Sequence, residues 1–178
     1  MRRKEDIWTV PNILTMLRIA LVGALVWLYA LGRPMGALAV FLLAGVTDFL
    51  DGFIARRKNL ITDFGKLMDP LADKLLLTAV LVCLMSDGRV PVWIVAVMLA
   101  KEAVMIAGGY VLLRRGVVVQ ARLIGKAATV AFTLAVVAAF LSEYIAPWHF
   151  VLVCLAAGLS LGALGVYVAD GVKRGKEK

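Results

Sequence analysis

Residues 48–73 read DFLDGFIARRKNLITDFGKLMDPLAD. Four of the acids in this stretch, Asp48, Asp51, Asp69 and Asp73, border two strongly apolar segments. Residues three or four apart share one face of a helix. Asp48 with Asp51 therefore makes one carboxylate face, and Asp69 with Asp73 another. The connection between them is short, so the two helices are antiparallel neighbours whose faces can meet. Four converging carboxylates repel one another strongly in a medium of low dielectric unless something positive sits between them. Lys74 and Arg56 are near in sequence, but two monovalent side chains suit so many oxygen ligands poorly. A divalent ion suits them, and all-oxygen ligation favours magnesium, manganese or calcium over zinc. Four carboxylates can bridge two such ions, an arrangement that clamps a pyrophosphate.

The elements that must hold these acids are membrane helices. The chain has 178 residues and is 62% apolar, above the half expected of a soluble domain. Its apolar blocks recur along the whole length, and about 20 such residues suffice to span a bilayer. Six spanning helices are predicted, over about Asn12–Leu31, Met35–Arg56, Lys66–Met85, Pro91–Arg114, Ala121–Leu141 and Trp148–Ala169. A short interfacial piece, EDIWTVP, precedes the first, with Trp8 at headgroup depth. The expected fold is all-α and integral to the membrane, one domain over 1–178. The basic start and first apolar run imitate a signal peptide. They lack a clear A-x-A cleavage site, so the first helix is expected to be retained.

Charge sets the orientation. The net charge is +8, carried at the ends of apolar blocks, which suits anionic lipid headgroups and argues against a nucleic-acid partner. Fifteen basic residues fall in the two tails and alternate connections, against Arg33 and Arg89 in the others. Both termini are therefore expected in the cytoplasm of a multi-pass cell-membrane protein. Asp48 then lies about 20 Å along the second helix from its outer end, in the cytoplasmic third of the bilayer. Carboxylates at that depth are costly and mark function. Asp63, by contrast, reads as a solvated loop acid. Cys83 and Cys154 lie in apolar blocks and read as small buried hydrophobes.

Two glycines fit a bound ligand. Gly52 follows Asp51, and Gly65 stands where the third helix starts, where free N–H groups favour anions. Helix packing is the plainer reading of one intramembrane glycine, but beside Asp51 a ligand role is favoured. Ala55 keeps the next turn of that face small.

The pattern D-x2-D-G-x2-A-R-x8-G-x3-D-x3-D, met at Asp48, Asp51, Gly52, Ala55, Arg56, Gly65, Asp69 and Asp73, resembles the signature of the CDP-alcohol phosphatidyltransferases. The resemblance implies transfer of a phosphatidyl group from CDP-diacylglycerol to an alcohol, with release of CMP and two divalent ions, Mg2+ or Mn2+. It implies that Asp48, Asp51, Asp69 and Asp73 are metal ligands or their neighbours, and that Asp73 is also the general base. Gly52, Ala55, Arg56 and Gly65 would shape the cytidine diphosphate site, at the cytoplasmic face. The resemblance also implies a homodimer among membrane lipids.

The acceptor is less marked. VPNILTMLRI, residues 10–19, looks like the start of the bacterial phosphatidylglycerophosphate synthases, which points to glycerol 3-phosphate. It sets Asn12, Thr15 and Arg18 on roughly one face, able to point at the site. Arg18 reads equally as a ligand of the acceptor phosphate or as a partner of an aspartate or Glu102. Lys74, Lys101, Arg122 and Lys126 are further candidates for that phosphate, whereas Arg114 and Arg115 read as topological charges. The synthases often carry Arg-Glu where this chain has Lys101-Glu102, which is a departure. Lys101 and Glu102 are expected to join a mutual or cross-helix ion network. A CDP-type cardiolipin synthase, taking phosphatidylglycerol, is the alternative within the family.

Outside it, an ion-coupled transporter would also use intramembrane acids, but these cluster at one face and no inverted repeat is evident. A membrane scaffold would have no use for them. Gly158 and Gly162 form a G-x-x-x-G suited to a dimer face or to intramolecular packing. Gly108 and Gly109 suit a close helix crossing. His149 is given no catalytic role, and Asp170-Gly171 is expected to end the last helix.

Overall fold

The computed structural model describes residues 9–58, 63–114 and 123–176; the side chains of 10–11, 51–58, 63–67, 113 and 174–176 fall outside that description. The helices are α1 (Val10–Ala30), α2 (Pro34–Lys58), α3 (Asp63–Ser86), α4 (Val92–Arg114), α5 (Leu123–Phe140), α6 (Ser142–Ile145) and α7 (Trp148–Lys176). No strand occurs among the described residues. The chain forms two compact units, Met1–Cys83 and Leu84–Lys178.

In the first unit, α1 begins earlier than the hydropathy suggests. The Thr9 side chain accepts a hydrogen bond from the backbone N–H of Asn12, capping the first turn, and Pro11 fits where no N–H is needed. Of the predicted interfacial piece 5–11, Val10 and Pro11 instead open α1 and Thr9 caps it, while residues 5–8, with Trp8, lie outside the described residues. Gly32 ends α1 in the left-handed region, at φ 69°. Its N–H bonds to the Tyr29 carbonyl and that of Arg33 to the Leu28 carbonyl, satisfying two groups the helix end leaves open. The same closure recurs at Gly88, φ 70°, after α3. The tight turn at Gly32 lays α2 back against α1, with Ala37, Leu38, Phe41 and Ala44 buried along α2. Asp63, expected in a loop, is instead the first residue of α3.

In the second unit, α5 packs on α7 through small residues: Ala128, Ala135 and Ala139 on one helix, Ala156, Ala157 and Ser160 on the other. Small side chains let two helices approach closely where hydrophobic exclusion gives no drive. The last helix does not stop at Asp170-Gly171 but runs to Lys176. Gly171 packs against α4 rather than turning the chain, since a Cβ there would lie 2.7 Å from Cδ1 of Leu112. At Gly109 a Cβ would lie 3.4 Å from the Tyr167 hydroxyl, an ordinary contact, whereas at Gly108, Gly158 and Gly162 it would meet nothing within 4 Å among the described residues.

Arg89 ties this unit together at one end. Its Nη1 donates to the Phe140 carbonyl (2.9 Å) and to Ser142 Oγ (3.0 Å), and its Nη2 pairs with Glu143 (2.6 Å). The three contacts fix the α5–α6 corner against the α3–α4 turn. Arg89→Ala is expected to destabilise the protein by about 1–3 kcal/mol, since it orphans a carbonyl and a hydroxyl that are buried or nearly so. A lower unfolding temperature in detergent micelles checks this, and an unchanged one would contradict it.

The distribution of side chains is that of a protein in lipid. Trp27, Leu43, Phe49, Ile106, Leu134 and Leu155 point outward, while Asn12, Thr15 and Arg18 are buried. Asn12–Ala30, Val92–Leu112, Leu123–Phe140 and Trp148–Lys173 are long and apolar enough to cross a membrane. Among the described residues of α2, Pro34–Leu50 is a shorter apolar stretch. This is a multi-pass membrane protein.

Candidate active site

The site grows from one face of α1. Asn12, Thr15 and Arg18 recur every third residue and are almost wholly buried, and the stripe continues through the apolar Leu25 and Tyr29. Thr15 Oγ1 donates to Oδ1 of Asp69 at 2.5 Å. One turn on, Arg18 Nη1 donates to Oδ1 of Asp73 at 2.7 Å. The contacts follow the same order along α1 and α3, as two helices running in one direction require. Their spacings also match, about 4.5 Å along α1 and 6 Å along α3. From α2, Asp48 completes the arrangement, with Oδ1 2.9 Å from Arg18 Nη2.

Arg18 thus joins two aspartates from different helices. Its side chain is 0% exposed, against 48% and 53% for Asp48 and Asp73. The carboxylates are held from behind and remain open on the other side. Pro70 lies between Asp69 and Asp73 inside α3, and it has no N–H to give to the carbonyl four residues back.

Of the other residues singled out in the sequence, Asp51, Gly52, Ala55 and Arg56 fall on α2 and Gly65 on α3; their side chains and surroundings lie outside the described residues. Arg122 lies outside them entirely. Lys74 is half-buried beside Asp73. Lys101 and Lys126 belong to the second unit. There Lys101 pairs with its neighbour Glu102 at 2.6 Å, and Lys126 is exposed. Arg114 lies over the Tyr110 ring at 4.7 Å, a cation–π contact. Cys83 and Cys154 form no disulfide; the first is buried and the second half-buried.

The donors gathered on α1 are aspartate oxygens, with no thiolate or imidazole among them. Such a set fits a hard divalent cation. Among the described residues no three acids are grouped closely enough to hold an ion as they stand, and the cation joining Asp48 and Asp73 is Arg18.

Residues 8–163 match the CDP-alcohol phosphatidyltransferase family over most of the chain. The chain belongs to that family. A CDP-alcohol phosphatidyltransferase is an enzyme of phospholipid synthesis, and the family is generally dependent on divalent metal. The chain is 41% identical over 132 residues to a cardiolipin synthase (CMP-forming) of Streptomyces coelicolor, covering 70% of this chain and 61% of that one. It is 38% identical over 149 residues to a CDP-diacylglycerol–glycerol-3-phosphate 3-phosphatidyltransferase of Bacillus subtilis, covering 75% and 77%. A Rickettsia typhi protein of the same name is 44% identical over 96 residues, covering 52% and 53%. In the Streptomyces and Rickettsia comparisons the chain spans less than two thirds of the relative's length.

The bond from Thr15 to Asp69 was not foreseen in the sequence, although its signal was present. Thr15 and Arg18 repeat at nearly the interval of Asp69 and Asp73, so two helices in one direction bring both pairs into register at once.

Proposed function

We propose that this CDP-alcohol phosphatidyltransferase transfers the phosphatidyl group of CDP-diacylglycerol to glycerol 3-phosphate and releases CMP. The observation that carries the reading is the α1 face that gathers Asp48, Asp69 and Asp73, three of the family's signature acids, onto Thr15 and Arg18. The acceptor is supported by the names of the Bacillus and Rickettsia relatives. In the reaction a hydroxyl oxygen of glycerol 3-phosphate bonds to the phosphorus that carries diacylglycerol. The bond from that phosphorus to the bridging oxygen breaks, and CMP leaves with the electron pair. Asp73 takes the hydroxyl proton.

Asp48, Asp51, Asp69 and Asp73 would hold two Mg2+ or Mn2+ ions. When bound, the ions supply positive charge to the pyrophosphate and to the departing CMP. Arg18 and Thr15 orient the acids from the buried side, leaving their open side to substrate. Gly52, Ala55, Arg56 and Gly65 make room for and bind the cytidine diphosphate. Asn12, Lys74, Lys101, Arg122 and Lys126 remain the candidates for the acceptor's phosphate. The chain is proposed to cross the cell membrane six times, with both ends and the site cytoplasmic, as one domain over 1–178 that pairs into a homodimer. The diacyl chains then stay in hydrocarbon while the nucleotide stays in water.

The Streptomyces relative favours a second reading, in which phosphatidylglycerol is the acceptor and cardiolipin the product. CMP release by the purified protein, with CDP-diacylglycerol, Mg2+ or Mn2+ and a panel of alcohols, separates the two. Release with glycerol 3-phosphate supports the first reading. Release only with phosphatidylglycerol supports the second, and no release with any acceptor defeats both.

Thr15→Val keeps the shape of this face but removes the donor to Asp69. Partners that orient metal-binding groups are worth 10–100-fold, so a fall in turnover of about tenfold is expected. Initial rates at saturating substrate check it, and an unchanged rate would remove Thr15 from the account.

A further inference from the structure

We propose that Arg18 is a built-in counter-cation that keeps the aspartate cluster assembled when no divalent metal is bound. The inference rests on the metal-binding reading given above, and it concerns what holds the site together before the metal arrives. Asp48 is on α2 and Asp73 on α3, and each places Oδ1 within 3 Å of one guanidinium. Without a cation between them these carboxylates would push the two helices apart. Arg18 is suited to prevent this. Its planar fork offers separate N–H groups to separate carboxylates, and it stays charged at any working pH.

Burial makes the device permanent. The Arg18 side chain is 0% exposed, so moving it into water would require the helices around it to repack. It lies behind the carboxylates, with its Nη2 2.9 Å from Oδ1 of Asp48 and its Nη1 2.7 Å from Oδ1 of Asp73. In the metal-free protein Arg18 is the cation that, among the described residues, contacts both Asp48 and Asp73. In the metal-loaded protein it is one positive charge among several, and its removal matters less. Its contribution to stability is therefore largest without metal.

This contrast separates Arg18 from a residue that is merely structural and from one that binds the acceptor phosphate. The test is thermal unfolding of the purified full chain in lipid nanodiscs, with chelator or with saturating Mn2+, for the wild type, Arg18→Gln and Arg18→Lys. Removing a buried guanidinium whose partners are half exposed should lower the unfolding temperature of chelated Arg18→Gln by about 5 °C relative to wild type. With Mn2+ that deficit should shrink to half or less. Arg18→Lys, which restores the charge but not the fork, should fall between them in chelator.

An equal deficit with and without Mn2+ would overturn the proposal. So would unchanged unfolding in both states accompanied by a raised KM for glycerol 3-phosphate, the mark of an acceptor ligand. Should Arg18→Gln fail to accumulate, Arg18→Lys reads the same quantity. Its Mn2+-induced rise must exceed that of the wild type, and an equal rise overturns the proposal. If the wild type itself gains nothing from Mn2+, the metal-binding reading fails and the role of Arg18 fails with it; a wild-type gain with no difference in the variants defeats Arg18 alone.

Discussion

Asp73→Asn is expected to lower turnover about 10³-fold while leaving a folded protein. The amide has the size of the carboxylate, and its oxygen can still accept the hydrogen bond that Arg18 Nη1 gives to Oδ1 at 2.7 Å. What it cannot do is take a proton from an attacking hydroxyl. The variant therefore removes proton acceptance, together with the negative charge offered to metal and to Arg18, while keeping the shape of the side chain. Half of the Asp73 side chain is exposed, so a hydroxyl can reach it from the open side. The measurement is the initial rate of CMP release at saturating donor and acceptor, with circular dichroism confirming helix content. A rate within tenfold of the wild type would rule out Asp73 as the base.

Asp48→Ala is expected to act on both activity and stability. It takes one of the four proposed ligands from the metal site, and it takes from Arg18 the carboxylate 2.9 Å from Nη2. A buried guanidinium that loses a partner destabilises the fold, by 3–5 kcal/mol when both members are buried. Asp48 is half exposed, so the expected loss is smaller, about 1–3 kcal/mol. Turnover should fall at least about 100-fold, and excess Mn2+ should not restore it, because a missing ligand changes the site and not only its occupancy. Rates across a Mn2+ titration, with unfolding temperatures of the same samples, check both parts. Recovery of the full rate at high Mn2+ would contradict the ligand role, and an unchanged unfolding temperature would contradict the role as partner of Arg18.

Much of this was legible in the sequence because hydropathy and helical spacing are local. The aspartate pairs at intervals of three and four, the long apolar runs and the polar face Asn12–Thr15–Arg18 all follow from residues close in the chain. The partners of Arg18 do not. An arginine inside an apolar run must find counter-charge, but nothing local chooses among an acceptor phosphate, Glu102 and the aspartates. Only the packing of three helices pairs it with Asp48 and Asp73.

The ends of the helices show the same limit. Thr9 could be read as a cap, but Gly171 looks like a helix stop until Leu112 of another helix is seen against it. The clamp made by Arg89 is likewise tertiary. In the sequence it is one of two basic residues in the sparsely charged connections, whereas in the fold it is occupied by Phe140, Ser142 and Glu143.

The most direct test of the reaction is incorporation of radiolabelled glycerol 3-phosphate into chloroform-extractable lipid by the purified protein, with CDP-diacylglycerol and Mg2+ or Mn2+. Labelled phosphatidylglycerophosphate and CMP are expected in equal amounts, with both lost when the metal is chelated. No labelled lipid under these conditions, in a preparation that converts phosphatidylglycerol to cardiolipin, would contradict the proposed reaction.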